Sequence, residues 1–361
     1  MKIARKSAST VVLVCLLFAS LALGQTRREI HFPDILGYKT LKCDFHMHTV
    51  FSDGLVWPTV RVDEAWRLGL DAIAITDHIE YQPHKKDVPT NLNRSYEIAR
   101  GYARDKNVLL IRAAEITRDT PPGHFNAIFL KDANPLDTKE LTDATKAAKD
   151  QGAFVFWNHP GWKPEHKGWF DIHTTLYENK WLGGIEVANG GSYYPEAQQW
   201  CLEKNLTMMG NSDIHQPDLD LETTPENHRT MTLVFARERS LDGVKEALVE
   251  GRTAVWLGTQ LIGRRKYLDA LFDGSVKVGK PYRRSKGTVW IEIRNNSDID
   301  MDMERIGKQG PGTLMLPANA TILLKTKVDG NAGQAELTYL VRNFKVAPDK
   351  GLPVSLKIDL K

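Results

Sequence analysis

The chain has 361 residues, of which 42% are hydrophobic and 26% are charged. This composition is typical of a folded protein and excludes an extensively disordered one, and the length allows one large domain and a smaller one. The 48 basic and 45 acidic residues give a formal charge of only +3. The charge therefore gives no reason to expect a nucleic acid or a membrane surface as a partner.

The first 24 residues have the features of a cleaved secretory signal peptide. Three basic residues precede an apolar run over 11–24, and small residues stand before Gln25. The run is short for a helix that spans a bilayer, which takes about 20 residues. Cys15 lies inside the run rather than at its end, which argues against a lipoprotein. We therefore expect a secreted or periplasmic protein with no membrane attachment after cleavage, in which 45 basic and 45 acidic residues balance.

Short apolar runs alternate with amphipathic segments between residues 41 and 256. The predicted strands are 41–45, 72–76, 108–113, 126–130, 153–157, 184–188, 207–210, 230–235 and 252–256. The predicted helices, several of them followed by glycine, are 60–68, 93–105, 138–150, 195–204 and 241–250. This alternation is typical of a parallel sheet and predicts an α/β barrel or a doubly wound sheet.

The pattern changes after about residue 265. The segments 289–294, 321–327, 335–341 and 353–360 alternate as strands and are separated by turns that contain Gly, Pro, Asn and Asp. We therefore predict an α/β domain over 38–262 and a small all-β sandwich over 270–361.

Histidines and acidic residues collect at the ends of the predicted strands of the first domain. His46 and His48 follow the first strand, where residues i and i+2 point to the same side and can reach one metal ion. The other members of this set lie at the ends or beginnings of later strands: Asp53, His78, Glu115, His124, His159, Asp213 and His215. A single residue of this kind is usually structural. In a parallel barrel, however, all strand ends open onto one face, so the nine residues would converge, whereas unrelated structural residues would scatter.

The chain resembles the polymerase and histidinol phosphatase (PHP) family in a series of motifs that occur in order: His46-Met47-His48-Thr49, Ser52-Asp53-Gly54, Thr76-Asp77-His78, Glu115, His159-Pro160 and Asp213-Ile214-His215. The resemblance covers about residues 40 to 256. It implies a distorted (β/α)7 barrel that binds up to three divalent metal ions, and several members of the family hydrolyse phosphate esters.

Carried over residue by residue, the resemblance implies three groups of metal ligands. The first ion would be held by His46, His48, Glu115 and Asp213. Glu115 would bridge to a second ion held by His124 and His159, and the third would be held by Asp53, His78 and His215. Imidazole and carboxylate ligands without a thiolate are compatible with Mn, Zn or Fe.

The charges of such a centre favour a phosphate ester as the substrate. Three divalent ions bring six positive charges, and three carboxylates with one bridging hydroxide remove four, which leaves roughly two for a bound anion. We therefore expect hydrolysis of small-molecule phosphate mono- or diesters by a metal-activated hydroxide at a trinuclear site.

Further residues near the strand ends are candidates for supporting roles. Asp77 is predicted to act beside Glu115 and Asp213 in catalysis by orienting a ligand imidazole, or to be a turn residue. Arg118 and Arg229 are candidates for binding phosphate oxygens, although such residues are more often structural. Five aromatic side chains are candidates for pocket walls: Trp57, Trp162, Trp169, Tyr193 and Tyr194. Three histidines lie off the pattern and are expected to be solvent or rim residues: His84, His166 and His173.

Two other functions are compatible with the same residues. One is an amidohydrolase-like metal hydrolase with a non-phosphate substrate, which would act on neither a phosphate monoester nor a diester. The other is an exported binding module whose barrel is inactive, which would carry no bound transition metal.

Overall fold

The computed structural model describes residues 26–88, 91–163, 167–218, 224, 227–329 and 333–360. The predicted signal peptide therefore lies outside the described residues. Within the described residues, none of the helices combines the length and the apolar character that a membrane crossing requires.

The first domain is built on a mixed sheet. Its strands are β1 (Lys39–Asp44), β2 (Ala72–Ile75), β3 (Leu109–Ile116), β4 (Phe125–Ile128), β5 (Phe154–Trp157), β6 (Gly184–Asn189), β7 (Ser192–Tyr193), β8 (Thr207–Asn211), β9 (Met231–Ala236), β10 (Thr253–Leu257) and β11 (Gln260–Gly263). The strand order is β11-β10-β9-β1-β2-β3-β4-β5-β6-β7, and β8 pairs with β6. Most strands are buried along their whole length, as expected for a sheet that is covered on both faces.

Helices connect most of these strands. They are α1 (Pro58–Arg67), α2 (Arg94–Asp105), α3 (Leu141–Asp150), α4 (Asp171–Glu178), α5 (Pro195–Lys204), α6 (Leu241–Val249) and α7 (Arg265–Ser275), with a 3-10 turn at Asn134–Leu136. The start of α6 has a local cause, because the Ser240 hydroxyl accepts a hydrogen bond of 3.0 Å from the backbone N–H of Gly243. The helix ends before Gly251, whose φ of 64° lies in the left-handed region.

The barrel closes between β8 and the strands β9 and β10. The closure consists of side-chain hydrogen bonds rather than a continuous ladder of backbone hydrogen bonds. The Thr232 hydroxyl of β9 accepts from the N–H of Gly210 on β8 and donates to its carbonyl, at 3.0 and 2.8 Å. The Thr253 hydroxyl of β10 donates to the carbonyl of Met208 at 2.8 Å. Glycine is required at position 210, because a Cβ atom there would lie 2.1 Å from Cγ1 of Val255.

The predicted distorted barrel is confirmed, but its strands are not all parallel. β1, β2 and β3 are mutually parallel, as are β5, β6 and β8. β4 runs antiparallel to both of its neighbours, and β9 runs antiparallel to β1 and β10. Periodicity gives no information about strand direction, so the parallel prediction was wrong for these strands. The consequence is that β4 and β9 present their beginnings, not their ends, to the face where the other strands end.

The predicted C-terminal β-sandwich is also confirmed. One sheet contains β12 (Val276–Val278), β13 (Arg283–Ser285), β14 (Thr288–Asn295) and β17 (Thr321–Lys327), and the other contains β15 (Met301–Arg305), β16 (Thr313–Leu316), β18 (Gln334–Val341) and β20 (Leu352–Asp359). Their side chains alternate between buried and exposed along each long strand. α7, which the sequence did not predict, precedes this sandwich.

The two domains share one hydrophobic core and one sheet. β19 (Phe344–Lys345) of the C-terminal domain pairs in parallel with β11. Trp256 of the barrel, Phe272 of α7 and Tyr339 of the sandwich belong to the same buried cluster. The C-terminal domain is therefore packed against the barrel as a continuous body.

Candidate metal centre

Two imidazoles lie directly after β1. His46 and His48 flank Met47, which is buried and forms a β-bridge with Ile214, so both rings project to the same side. Nε2 of His46 lies 3.1 Å from Oε2 of Glu115 and 3.1 Å from Oδ1 of Asp213. Nε2 of His48 lies 3.2 and 3.0 Å from the same two oxygens. Four potential ligand atoms therefore surround one point.

A second group of ligand atoms surrounds Asp53 in the turn after β1. Oδ1 of Asp53 lies 3.6 Å from Nε2 of His78 and 3.2 Å from Nε2 of His215. Nδ1 of His48 lies 3.7 Å from the same oxygen. The structure thus brings together the three residues that the resemblance implies for the third ion, next to the first group.

Glu115, at the end of β3, lies between these groups and the remaining histidines. Its Oε1 lies 2.9 Å from Nδ1 of His124 and 3.9 Å from Nε2 of His159, and its Oε2 lies 3.2 Å from Nδ1 of His78. His124 reaches the site because it precedes β4, the antiparallel strand whose beginning faces the centre. Glu115 is fully buried, and its two oxygens face different histidines.

The structure brings all nine candidate ligands together, and their atoms fall into four overlapping groups. The groups are His48, Asp53, His78 and His215; His46, His159 and Asp213; His46, His48 and Glu115; and His78, Glu115 and His124. The grouping differs in detail from the implied one, because His159 lies with His46 and Asp213, and His78 also lies with Glu115 and His124. The division of the ligands among ions therefore stays a proposal.

Several of these ligand atoms are buried, and although they lie close to one another they meet the geometry of a hydrogen bond with none of the described residues. They include Nε2 of His48, Oδ1 of Asp53 and Oδ1 of Asp213. Buried polar atoms without a partner are costly, and almost all such atoms in native proteins are paired. Divalent cations would pair these lone pairs directly, and nitrogen and carboxylate oxygen are the donors that such cations accept. The residues present therefore fit a metal centre.

Hydrogen bonds behind the imidazoles orient the rings toward the centre. Nδ1 of His46 lies 2.9 Å from Oε1 of Glu186, and Nδ1 of His215 donates to the carbonyl of Asp213 at 2.8 Å. Nδ1 of His48 lies 3.3 Å from the Ser52 hydroxyl. A proton on each Nδ1 leaves Nε2 with its lone pair free to bind a cation.

Glu186, within β6, is a site residue that the sequence did not predict. It is fully buried, and its Oε2 accepts from the N–H of His159 at 2.8 Å. Asn211 donates to its other oxygen at 2.9 Å. The available signal was a single carboxylate inside the apolar run 184–188. Such a residue is almost never buried without a partner.

Two asparagines hold the carboxylates of the centre and were also missed. Asn158 donates to Oε1 of Glu115 at 2.9 Å, and Asn189 donates to Oδ2 of Asp213 at 3.3 Å. Both lie at strand ends on the same face as the histidines. Their amides fix the carboxylates without adding charge.

The backbone is strained at two of the candidate ligands. Asp213 has a φ of 53° and His159 a φ of 28°, and neither residue is glycine. Such conformations cost about 1 to 3 kcal/mol and are concentrated at functional sites. At Asp213 the surrounding structure supports the strain, because its N–H donates to the carbonyl of His46 at 2.9 Å.

The charged groups of the centre shift one another's pKa values in the direction opposite to the effect of burial. Burial raises the pKa of a carboxyl group, but the facing imidazoles hold the pKa values of Asp213 and Glu115 well below the usual range. Burial likewise lowers the pKa of an imidazole, but the carboxylates of Asp213 and Glu115 raise the pKa of His48 to about 9. For His78, burial prevails and lowers the pKa to about 4. The carboxylates are therefore ionised, as metal ligands must be.

Asp77 has a structural position rather than a place among the ligand atoms. Its carboxylate accepts from the Thr49 N–H at 2.7 Å and from the Ser52 hydroxyl at 3.0 Å. It therefore stabilises the turn after the His46-Met47-His48 motif, and it reaches the His48 ring only through Ser52.

The two arginines predicted to bind substrate are engaged elsewhere. Arg118 pairs with Glu80 and donates to the carbonyls of Thr117 and Thr138 at 2.8 Å each. Arg229 is buried, and it donates to Asp218 at 2.8 Å and to Glu64 at 2.7 Å. The geometry does not support a substrate role for either residue, because their guanidinium groups already bind carboxylates and carbonyls.

A cavity of about 200 Å³ opens over the centre. It is lined by His78, His124, His159, Trp162, Asn189, Asp213 and His215. Trp162 is 47% exposed, and its ring lies 5.8 and 5.7 Å from those of His124 and His159, so it forms a wall as predicted from the sequence.

The other four aromatic residues that were predicted as pocket walls are not among those that line this cavity. Tyr193 and Tyr194 line neighbouring cavities. The partly buried Trp169 packs against the buried Trp157, and Trp57 packs on Phe51.

The histidines off the pattern have different surroundings. His84 is partly exposed, and His166 lies outside the described residues. The solvent or rim position predicted for His173 is wrong, because this residue is fully buried. Its ring stacks on Trp157 at 3.8 Å and bonds the Pro122 carbonyl at 2.9 Å.

Comparisons with known proteins relate most of the chain to a solved structure. This is a crystal structure of a two-domain protein from Bacteroides vulgatus that contains a predicted PHP-like metal-dependent phosphoesterase. It is 49% identical, covers 92% of this chain and 99% of its own, and has a TM-score of 0.88. A proposed metal-dependent phosphoesterase from Bifidobacterium adolescentis is 17% identical over 58% of this chain and 96% of its own, with a TM-score of 0.42.

Two further similarities cover parts of the chain. An uncharacterised protein of Methanocaldococcus jannaschii is 30% identical over 115 residues, which are 32% of this chain. The match spans 44% of the length of that protein. A family model described as an Ig-like domain (DUF5001) matches residues 276–357, which correspond to the C-terminal sandwich.

Proposed function

We propose, from the premise that this chain belongs to the family of two-domain proteins with a PHP-like metal-dependent phosphoesterase domain, that it hydrolyses phosphate mono- or diesters at a centre of three divalent ions. The observation that carries the proposal is the position of Glu115. Both of its oxygens face histidines of different groups, at 2.9 Å from His124 and 3.1 Å from His46.

The nine side chains would hold Mn, Zn or Fe in the groups described above. When bound, divalent ions lower the pKa of a coordinated water toward about 7 and neutralise charge that develops on a leaving oxygen. Because the nine ligands include only three carboxylates, a centre of three ions would keep a net positive charge. An anionic ester is the substrate that such a charge favours.

The exposure of the ligands supports one direction of approach for the substrate. His46, His48 and Glu115 are fully buried, whereas the side chains of Asp213 and His215 are 19% and 30% exposed. The cavity of about 200 Å³ lies on this exposed side. A substrate would therefore approach over Asp213 and His215, with Trp162 at the rim.

Within the part of the chain that the structure describes, no arginine lines this cavity. Charge on the phosphoryl group would therefore be met by the ions rather than by a guanidinium, which agrees with the engagement of Arg118 and Arg229 elsewhere. Asn189 and Asn158 would keep the Asp213 and Glu115 carboxylates oriented while the substrate is exchanged.

We further propose that the protein is exported and acts on small-molecule esters. Export rests on the pattern of the first 24 residues, and the absence of a nucleic-acid partner rests on the balance of 45 basic and 45 acidic residues outside them. The small volume over the centre supports a substrate whose organic part lies outside this cavity.

The test is an assay of the purified full chain loaded separately with Mn²⁺, Zn²⁺ or Fe²⁺. The substrates are an aryl phosphate, an aryl phosphodiester, an amide, a lactone and a single-stranded oligonucleotide. We expect hydrolysis of at least one phosphate ester, which Asp213→Asn abolishes and the exposed control Asp242→Asn does not.

Other outcomes would favour the alternatives. Activity on the amide or the lactone with neither phosphate ester would indicate an amidohydrolase-like enzyme. A chain that binds no transition metal by elemental analysis would indicate an inactive barrel. Cleavage of the oligonucleotide would contradict the small-molecule proposal.

A further inference from the structure

A second and larger cavity, of about 640 Å³, adjoins the metal centre. Ser212 and Ile214, which line it, are the neighbours of Asp213, and Gly190, which also lines it, follows Asn189. The two cavities therefore lie on either side of the same two strand-end segments. A volume of this size falls in the range of about 300 to 1,000 Å³ that is typical of small-molecule sites.

We propose that this cavity binds the organic part of the phosphate ester, that this part is a hydroxyl-rich group such as a sugar or polyol, and that the C-terminal domain holds two of the cavity's walls. The inference rests on the proposed phosphoesterase function and names its substrate class.

The residues that line the cavity favour a polar occupant. Besides Tyr193, seven lining side chains carry hydroxyl, amide, imidazole or guanidinium groups: Ser212, Asn227, His228, Arg229, Thr230, Thr259 and Gln260. The guanidinium of Arg229 is held by Glu64 and Asp218. Glycines at 190, 191 and 258 leave backbone at the surface, and the aliphatic lining consists of Ile214 and Leu257. Specific sites pair each polar group of the ligand, because an unpaired polar group in a closed site costs binding energy. A hydroxyl-rich group can pair with these polar side chains and place its apolar face on Ile214 and Leu257.

The first wall is the turn between β10 and β11. Thr259 and Gln260 of this turn line the cavity. Asn343, immediately before β19, donates to the carbonyl of Thr259 at 2.6 Å, and its own carbonyl accepts from the N–H of Leu261 at 3.0 Å. One residue of the C-terminal domain thus holds both sides of the turn.

Asn343 is in turn fixed within its own domain. It donates to the carbonyl of Asp300 at 2.8 Å, and its Oδ1 accepts from the N–H of Asp302 at 3.1 Å. Phe344 beside it is 1% exposed and is one of the largest buried side chains. The turn is therefore connected to the rigid part of the sandwich.

The second wall is Tyr193 of β7. Its hydroxyl donates to Oε1 of Gln198 at 2.5 Å, and Nε2 of Gln198 donates to the carbonyl of Lys345 at 3.0 Å. Gln198 is fully buried, so its amide is held in the interior between these two partners. Burial also raises the pKa of Tyr193 to about 12, so its phenol stays a hydrogen-bond donor at neutral pH.

Residues 343–345 therefore contact two parts of the cavity lining: Asn343 bonds the turn directly, and Lys345 bonds Gln198, which holds Tyr193. This arrangement gives the C-terminal domain a positioning role at the substrate cavity, although none of its described residues lines the cavity over the metal centre.

The test compares glucose 6-phosphate with phenyl phosphate, using the full chain loaded with Mn²⁺. We expect the wild-type kcat/KM to be higher for glucose 6-phosphate. Asn343→Ala and Gln198→Leu should each lower the ratio of the two kcat/KM values about tenfold, within the range that loss of pocket contacts produces. The matched control is Asn295→Ala, since Asn295 makes the same kind of bonds to Ile299 and Leu316 within the sandwich but has no connection to the cavity. It should leave the ratio unchanged.

A second variant tests the cavity directly. Gly191 lines it, has an ordinary φ, and has nothing within 4 Å of an added Cβ, so Gly191→Phe should fold and fill the space. We expect it to weaken binding of the phosphonate analogue of glucose 6-phosphate at least about tenfold in calorimetry.

The outcomes separate the two proposals. Failure to hydrolyse glucose 6-phosphate, the aryl phosphate and the aryl phosphodiester with any of the three metals would overturn the proposed function. Hydrolysis of both esters with a preference for phenyl phosphate, or unchanged phosphonate binding by Gly191→Phe, would overturn the cavity assignment alone. If neither Asn343→Ala nor Gln198→Leu changes the ratio of the two kcat/KM values, the positioning role is overturned.

Discussion

Oε1 of Glu186 lies 2.9 Å from Nδ1 of His46, and both side chains are fully buried although they are 140 residues apart in the chain. The bond keeps a proton on Nδ1 and turns Nε2 toward Glu115 and Asp213. The same carboxylate accepts from the backbone N–H of His159 at 2.8 Å. Glu186 therefore orients two candidate ligands without facing the cavity itself.

Glu186→Gln should weaken metal binding, because a glutamine offers one acceptor oxygen where the glutamate offers two. Oε1 and Oε2 together accept from His46, His159, Asn189 and Asn211, so the amide N–H₂ would face a donor. Loss of such a partner typically costs about 10- to 100-fold in metal affinity. Competition with a fluorescent chelator measures the affinity. The exposed control Glu203→Gln should leave it unchanged, and an unchanged affinity in Glu186→Gln would contradict this role.

Glu115→Gln should depress the rate of ester hydrolysis by a factor of about 10³ or more while the fold remains intact. The substitution removes the charge that bridges two ligand groups, and electrostatic stabilisation of this kind is often the largest contribution to catalysis. The rate constants and the metal content per chain should be measured together, with exposed Glu336→Gln as the control. A wild-type rate in Glu115→Gln would remove Glu115 from the centre.

The sequence predicted where most elements of the barrel lie, because burial imposes a period on their apolar residues. The predicted helix 195–204 coincides with α5, and the predicted strand 184–188 is shorter than β6 by one residue. Strand direction was not predictable in this way, because an apolar run of four residues such as β4 has no direction. α7 (Arg265–Ser275) was not predictable in this way, because it lies where the alternation of the first domain ends and the β pattern of the second begins.

The candidate ligands were predictable because polar residues stand out at the ends of apolar strands. Their supporting residues were not predictable in the same way, because such contacts depend on packing between distant segments. Arg229, for example, pairs with Glu64 across 165 residues. Its position just before β9 suggested that it binds substrate. The packing of α1 against this segment brings Glu64 to its guanidinium, and the sequence pattern does not show this contact.

Metal loading should stabilise the fold. Oδ1 of Asp53 and Oδ1 of Asp213 are buried without hydrogen bonds among the described residues, and ions that bind only the folded chain add free energy to its stability. At a free-metal concentration 100 times Kd, one site contributes about 2.7 kcal/mol. Calorimetric Tm values with Mn²⁺ and with excess chelator measure this contribution. An Asp53→Asn variant should show a smaller rise in Tm, and equal Tm values with and without metal in the wild type would contradict the presence of a centre.

Acid should destabilise the protein partly through His173. Burial lowers the pKa of His173 to about 4, whereas an unfolded histidine titrates near pH 6.5. The unfolded chain therefore binds the proton first. The stability that the neutral ring contributes is complete above about pH 6.5 and is lost as the pH falls toward 4, by about 1 kcal/mol between pH 7.5 and 5.5.

His173→Asn should remove this part of the pH dependence, because asparagine does not titrate. Denaturant unfolding at pH 7.5 and pH 5.5, in the presence of chelator, measures the difference in unfolding free energy for each protein. The partly exposed His84→Asn serves as the control and should retain the wild-type difference. If His173→Asn shows the full wild-type loss at pH 5.5, the acid sensitivity comes from other groups.

Arg229→Ala should affect stability rather than substrate binding. The buried guanidinium of Arg229 donates to Glu64 and Asp218 at 2.7 and 2.8 Å. Glu64 also accepts from the buried Arg61. Nε of Arg61 in turn donates to the His48 carbonyl at 2.9 Å. Removing one partner of a buried pair leaves uncompensated charge and costs about 3 to 5 kcal/mol. Denaturant unfolding together with KM for a phosphate ester separates the two roles.

Arg118→Ala, which loses a partly exposed pair with Glu80, should cost less than about 1 kcal/mol. A higher KM at unchanged stability in Arg229→Ala would instead restore the substrate role that its place in the sequence suggested.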